Sequence, residues 1–250
     1  VSAARVIVVG GGLAGLSAAV ELASDGHPVT LVEAGPVLGG RTSSRVDEGM
    51  VIESGLHRYL GFYVALPRLL QRAGARLEDV VVWEDEAEIV LPDGGPHAVF
   101  GTSPVHRPVQ TVLSALGQNA FLPWPQKIAL VRMLSAGLRD YLAQPQELDA
   151  VTVEQYARRH GLDDRTILRV LTPLTEGLFF VPPQEYSAYN FLGLIAPNLR
   201  GVEKTRIGAF RGGMSDVLIE PIAEHLRSLG GQILTSCPAE DLTVQDGAVT

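Results

Sequence analysis

Hydrophobic residues along this 250-residue chain recur with two periods, and the change from one to the other outlines its elements. Near the start, residues 5–9 are a short β-branched apolar run, a glycine cluster follows, and residues 13–24 repeat apolar positions at helical spacing. His27-Pro28 leads into residues 29–33, a second apolar run that ends on an acid. Strand, turn, helix and strand in that order make a βαβ unit, which requires parallel strands. Residues 44–54 read as short strands, 64–73 as a helix stopped by Gly74, and 80–90 and 97–100 as further strands turning at Pro92-Asp-Gly-Gly95.

From about residue 105 to 198 the strand pattern fades and helical periods take over, at 109–116, 125–142, 153–160, 164–178 and 186–195. Strand character returns at 206–210. Gly212-Gly213 then turns the chain, Ser215 is placed to cap a helix through Leu229, and Gly230-Gly231 ends it. Short strands are expected at 232–234 and 241–244. The order predicts an α/β fold: a Rossmann-like domain with a parallel sheet, built from residues 1–60 and 203–250, interrupted by a mostly helical α+β insertion over residues 61–202. The chain closes on an Asp-Gly turn and half of a returning strand, so further C-terminal sequence is expected.

Composition narrows the classes. A net charge of −8 gives no positive field for a polyphosphate backbone, which argues against nucleic acid as a partner. One cysteine, Cys237, allows no intrachain disulfide and suits a reducing, cytoplasmic setting. The first residues run straight into a strand without the layout of a secretory signal. The longest uncharged stretch, residues 108–126, holds three prolines and several amides and would span a bilayer poorly, so a soluble or peripheral protein is expected. No metal site is expected.

The chemistry concentrates in the first turn. Gly10-Gly-Gly12-Leu-Ala-Gly15 satisfies G-x-G-x-x-G: Gly10 for the tight turn, Gly12 for close approach of backbone to a pyrophosphate, and Gly15 for packing of helix on strand. The helix N-terminus behind it turns free N–H groups toward phosphate. Glu33 ends the second strand about 20 residues on, where a carboxylate accepts from ribose hydroxyls. Together these point to an adenosine dinucleotide.

Leu38-Gly39-Gly40-Arg41 resembles the second glycine motif of flavin-dependent amine oxidases and carotenoid desaturases, which selects FAD over a nicotinamide cofactor. Its glycines are expected to expose backbone N–H groups, and Arg41 to add a permanent cation beside the pyrophosphate or reduced flavin. Ile52-Glu-Ser-Gly-Leu-His-Arg-Tyr-Leu-Gly-Phe-Tyr63 is similar to the Glu-Thr-Gly-Leu-His segment, followed by Phe-Phe-Gly-Ala-Tyr, of plant-type phytoene and ζ-carotene desaturases. Leu122-Pro-Trp-Pro-Gln-Lys-Ile128, Leu178-Phe-Phe-Val-Pro-Pro-Gln-Glu185 and Glu220-Pro-Ile-Ala-Glu-His-Leu-Arg-Ser-Leu-Gly-Gly231 extend the likeness in the family's order. The resemblance implies an FAD-binding oxidoreductase of the flavin amine oxidase superfamily that takes hydride from a long polyisoprenoid. Its cofactor-contacting set is then Gly10, Gly12, Leu13, Ala14, Gly15, Glu33, Ala34, Gly39, Gly40, Arg41, Gly55, Leu56 and His57. One departure is that the family's Leu-Asn-Arg-Phe segment faces Ala196-Pro197-Asn198, with Arg200 as the nearest substitute.

His57 is the candidate catalytic residue, because neutral imidazole accepts a proton near pH 7; the other reading makes it a hydrogen-bond partner that shapes its loop. Phe62, Tyr63, Phe179 and Phe180 either offer π faces to developing positive charge or pack as core. Residues 123–142, carrying Lys127, Arg132 and Arg139, form an amphipathic segment that either rests at a membrane surface or packs on its own domain. A quinone acceptor is implied by the resemblance alone. The alternatives are a flavin amine or protoporphyrinogen oxidase-like enzyme, and a flavin-binding protein without turnover.

Overall fold

The computed structural model describes residues 4–91, 94–95, 97–196, 205–245 and 248–249. The tips of two expected turns, Pro92-Asp93 and Asp246-Gly247, and the segment holding Pro197, Asn198 and Arg200 lie outside the described residues. The described residues pack into two compact units, one drawn from 1–59, 63–83 and 208–250, the other from 60–62 and 84–207.

The first unit starts with the strand Val6–Val9, the helix Leu13–Ser24 and the strand Val29–Val32. The two strands run parallel, with Val6 opposite Val29 and Val9 opposite Val32. The third parallel strand, Gln232–Leu234, joins on the far side of Val29–Val32 from some 200 residues later in the chain, placing Ile233 beside Leu31. The helix covers this sheet through Leu16, Ala19, Val20 and Ala23, a stripe at the 3, 4 and 7 spacing that the sequence shows. Ile222, Ala223 and Leu226 of the helix Glu220–Ser228 complete the layer.

Residues 63–83, assigned to the insertion from sequence, pack in this first unit. Leu69, Leu70, Val80 and Val81 are buried in its core, which is why the apolar face of the helix Ala65–Arg72 belongs here. An unexpected short strand, Arg58–Leu60, forms a three-stranded sheet with Ile207–Phe210 and Val81–Glu84, in that order. Its Tyr59 is fully buried and meets Tyr63, Trp83 and Phe210 edge-on. The short strands expected over residues 44–54 are Ser44–Asp47 and Met50–Glu53, and they pair antiparallel, with Ser44 opposite Glu53.

Ser215 does not cap its helix. It lies inside a π-helical turn, Ser215–Ile219, that runs directly into Glu220–Ser228, and its hydroxyl is engaged by Ser44 instead. The strand expected at 241–244 is shorter, Val244–Gln245 pairing with Ala248–Val249.

The second unit is mostly helical, as the periods predict. The hairpin Glu86–Ile89 with Ala98–Gly101 precedes Pro108–Leu116, Trp124–Ala143, Val153–Arg159, Thr172–Phe179 and Ala188–Ile195. The long helix buries Ala129, Met133 and Gly137, and a Cβ on Gly137 would lie 2.6 Å from Leu192 Cδ1, so glycine sets how closely the last helix approaches. Lys127 Nζ donates to Leu116 O (2.9 Å), to Gly117 O and to Asn119 Oδ1, closing the C-terminus of the preceding helix. Arg169, on a π-helical turn, is buried and donates to the carbonyls of Ala120 and Phe121.

Candidate functional site

The site lies at the C-terminal ends of the parallel strands in the first unit, where open α/β sheets bind nucleotides. Gly10 leaves the first strand at φ +100°, a left-handed conformation that side chains resist. Its N–H donates to Val32 O at 2.8 Å, which ties the turn to the second strand. Gly15 faces back onto Gly10: a Cβ there would lie 3.0 Å from the Gly10 carbonyl carbon and well inside van der Waals contact with its oxygen. Gly12 is open, its nearest neighbour being Gly39 O at 4.0 Å from where a Cβ would stand. The helix behind begins with Gly12 at its N-cap and no side-chain cap bond, so its N-terminal positive end is available for an anion. Leu13 and Ala14 form its first turn, and Ala14 is exposed.

Glu33 reaches back into the loop. One carboxylate oxygen accepts Gly11 N–H at 2.6 Å, the other Gly35 N–H at 2.7 Å. The N–H groups of Gly35 and Gly11 hold the acid below the usual carboxylate range, against the opposing effect of burial, so it is ionised at neutral pH. Each oxygen keeps a second lone pair for a ligand hydroxyl. Gly11, which the motif leaves unassigned, is the most crowded of the three adjacent glycines: a Cβ on it would lie 2.5 Å from Leu38 Cδ2 and 3.1 Å from Glu33 Cβ. Ala34, beside Glu33, is exposed.

The second glycine motif folds against the first. Gly39 and Gly40 both have positive φ, 110° and 56°. The expected exposed N–H of Gly39 is not exposed, because it donates to Gly11 O at 2.8 Å and the residue is buried. The Thr42 and Ser43 hydroxyls donate to the carbonyls of Gly39 and Gly40. The two glycines therefore lock the second loop to the first, and Arg41 stands exposed beside them with its carbonyl held by Ser54 Oγ at 2.7 Å.

A third group, absent from the candidate set, centres on Glu53. Its Oε1 accepts Met214 N–H (2.6 Å) and Ser44 Oγ–H (2.7 Å), and its Oε2 lies 3.0 Å from His57 Nδ1. Burial raises the Glu53 pKa, but the donors from Met214, Ser44 and His57 outweigh it and leave the acid below its ordinary range. Ser44 and Ser215 exchange bonds as well: Ser44 N–H donates to Ser215 Oγ (2.8 Å) and Ser215 N–H to Ser44 Oγ (3.0 Å). Residues some 170 positions apart in the chain are stapled here, a relation to which no local pattern points. His57 is partly buried, whereas Gly55 and Leu56 beside it are exposed.

The four aromatics divide. Tyr63 packs edge-on against Tyr59, Phe179 stacks on Tyr186 at 4.7 Å, and Phe180 is exposed at φ +56°. Phe62 falls in the second unit with Phe179 and Phe180. Among the described residues no cluster of three or more His, Cys, Asp or Glu side chains is arranged for a metal ion. Nor, among them, is any helix long and apolar enough to cross a membrane.

A profile described as flavin containing amine oxidoreductase matches residues 13–250. The chain belongs to that family. Its cofactor is FAD, and the left-handed Gly10, the uncapped helix and the bare Gly12 fit a dinucleotide. The chain is 28% identical to a 15-cis-phytoene desaturase of Solanum lycopersicum over 98% of its own length and 42% of that protein's. It is likewise 28% identical to the 15-cis-phytoene desaturase of Synechococcus elongatus, over 97% of this chain and 51% of that one. The chain thus spans about half or less of these relatives. Among solved structures, an oxidoreductase from Methanosarcina mazei shares the fold, with a TM-score of 0.72 at 18% identity, over 97% of this chain and 54% of the other.

Proposed function

We propose that the protein is an FAD-dependent, desaturase-like oxidoreductase that takes hydride from a long polyisoprenoid hydrocarbon. The observation that carries this reading is the likeness to phytoene desaturases along 98% of the chain, which includes the glycine loop, Glu33 and the segment from Glu53 to His57. When bound, the flavin supplies a two-electron acceptor. The chain's own residues hold and orient it. In this reading Gly10, Gly12, Leu13, Ala14 and Gly15 receive the pyrophosphate, Glu33 with Ala34 takes the ribose hydroxyls, and Gly40 and Arg41 supply positive character from the second loop. Gly39 contributes by bracing that loop on Gly11.

Gly55, Leu56 and His57 are assigned to the flavin-facing side of the site, with His57 accepting a proton at Nε2 while Nδ1 donates to Glu53. A hydrocarbon needs little polar recognition, since burial alone gives roughly 25 cal/mol per Å² of apolar surface. A quinone acceptor and a peripheral membrane contact belong to the same proposal. Exposed Val109, Val112, Leu113 and Leu116 on one helix, and Trp124, Ile128 and Val131 on the next, support the membrane contact.

The test is the visible spectrum of the purified protein, followed by anaerobic incubation with phytoene, ζ-carotene or squalene in liposomes. Bleaching of the flavin bands by one of them supports the reading and names its substrate. Bleaching by a soluble amine, with peroxide formed in air, would replace it by an amine oxidase.

A further inference from the structure

We infer that Glu53 is a positioning residue: it fixes the neutral His57 ring in the form protonated at Nδ1, which leaves Nε2 as a hydrogen-bond acceptor. The pair is 3.0 Å apart and both side chains are about one-fifth exposed. An ionised carboxylate only accepts, so at this separation Nδ1 must be the donor and the ring's one remaining lone pair is on Nε2. Free imidazole side chains have no such constraint, and the choice of tautomer is set by the partner of the other nitrogen.

Glu53 itself is not free to turn. Met214 N–H and the Ser44 hydroxyl both donate to Oε1, and Ser44 is held in turn by Ser215 N–H. Gly213 preserves this arrangement, since a Cβ there would stand 3.0 Å from both Ser44 Oγ and Val51 Cγ1. The carboxylate thus joins the Met50–Glu53 strand to the start of the Ser215–Ile219 turn, and presents its second oxygen to His57.

The same geometry makes the Glu53→Gln variant informative. A backbone N–H can only donate, so Met214 holds the glutamine's carbonyl oxygen in the Oε1 position, and the amide NH2 must then face His57. An NH2 group donates, so Nδ1 becomes the acceptor and the proton moves to Nε2. The fold loses little, because a side chain of the same shape keeps the bonds to Met214 and Ser44. The tautomer assignment stands on this geometry alone; its effect on turnover rests on the reading of His57 as the proton holder.

The experiment is ¹⁵N NMR of the FAD-loaded protein, labelled at histidine and held at a pH where the His57 ring is neutral, with His57→Gln used to assign the signal. The wild type is expected to carry the ring proton on Nδ1 and Glu53→Gln on Nε2, with turnover lowered about 100-fold or more and FAD still bound. A wild-type ring protonated on Nε2 would overturn the inference even if the variant fails to fold. So would a proton that stays on Nδ1 in folded Glu53→Gln. A tautomer that switches while turnover is unchanged upholds the role of Glu53 and instead removes His57 from the mechanism.

Discussion

Gly15 stands so close to Gly10 that a methyl group on it would lie 3.0 Å from the Gly10 carbonyl carbon and far inside van der Waals contact with the carbonyl oxygen. The obstacle is backbone, which cannot rotate away as a side chain can. Gly15→Ala must therefore push the Leu13–Ser24 helix off the first strand, at a cost of about 2–4 kcal/mol. The melting temperature is expected to fall by roughly 5–10 °C, with loss of bound flavin. Gly26→Ala serves as the control: its φ of +85° is strained for alanine but nothing lies within 4 Å, so the cost is about 1 kcal/mol and flavin is retained. Equal effects of the two substitutions on flavin retention would count against a packing role for Gly15.

Glu33 links acid stability to the nucleotide loop. Its folded pKa is depressed by the N–H groups of Gly35 and Gly11. Its stabilisation is therefore fully present above the unfolded value of about 4.3 and is lost as pH falls through the lower folded value. Glu33→Gln is expected to destabilise the protein by about 1–3 kcal/mol at pH 7, and the gap to wild type should close as pH drops below about 4. Urea titrations across that range measure it; a gap that stays constant would show that the carboxylate's charge does not matter.

Much of this was legible in the sequence because the interactions are local or periodic. The βαβ unit sits within the first 33 residues, where motif spacing, the buried stripe at Leu16, Ala19, Val20 and Ala23, and the acid at Glu33 all agree. Three relations were not legible. The Glu53 network depends on Met214 and Ser215 arriving from the other end of the chain. Ser215 has the residue type and position of a cap, yet tertiary contact with Ser44 takes its hydroxyl. Gly39 reads as an exposed N–H donor, and only its approach to Gly11 shows that the bond is used within the loop.

Arg169 offers a test confined to the second unit. The residue is 8% exposed, and its guanidinium donates from Nη1 to Ala120 O (3.2 Å) and Phe121 O (2.9 Å) and lies 5.3 Å from the Phe121 ring centroid. Arg169→Met keeps the bulk but leaves both carbonyls without that donor, which should cost about 2–4 kcal/mol. Urea unfolding is expected to show the loss, while flavin affinity at low denaturant stays as in wild type. A drop in flavin affinity matching that of Gly15→Ala would show that the nucleotide loop depends on this helical unit.

His57→Ala separates the two readings of that side chain. If Nε2 holds a proton during turnover, the variant should lose about 100-fold in rate while FAD remains bound and the flavin spectrum is unchanged. If His57 only shapes its loop, the loss should appear as weaker FAD binding, because Glu53 Oε2 would lose its donor next to the exposed Gly55 and Leu56. Flavin titration together with single-turnover reduction measures both quantities on one sample.

The membrane contact turns on how the exposed apolar residues are arranged. In the helix Pro108–Leu116, Val109, Val112, Leu113 and Leu116 follow the 3, 4 and 7 spacing of a buried stripe, yet each is 48–70% exposed. The cations expected to aid binding in residues 123–142 are partly committed elsewhere, since Lys127 closes the preceding helix and Arg139 pairs with Asp140. Apolar area, more than charge, should therefore drive association. Val109→Glu and Leu113→Glu are each expected to weaken vesicle binding about tenfold, whereas raising the salt concentration changes it little. Liposome flotation decides the point: no association of the wild type would end the membrane proposal, and binding abolished by salt would assign the contact to the cations instead.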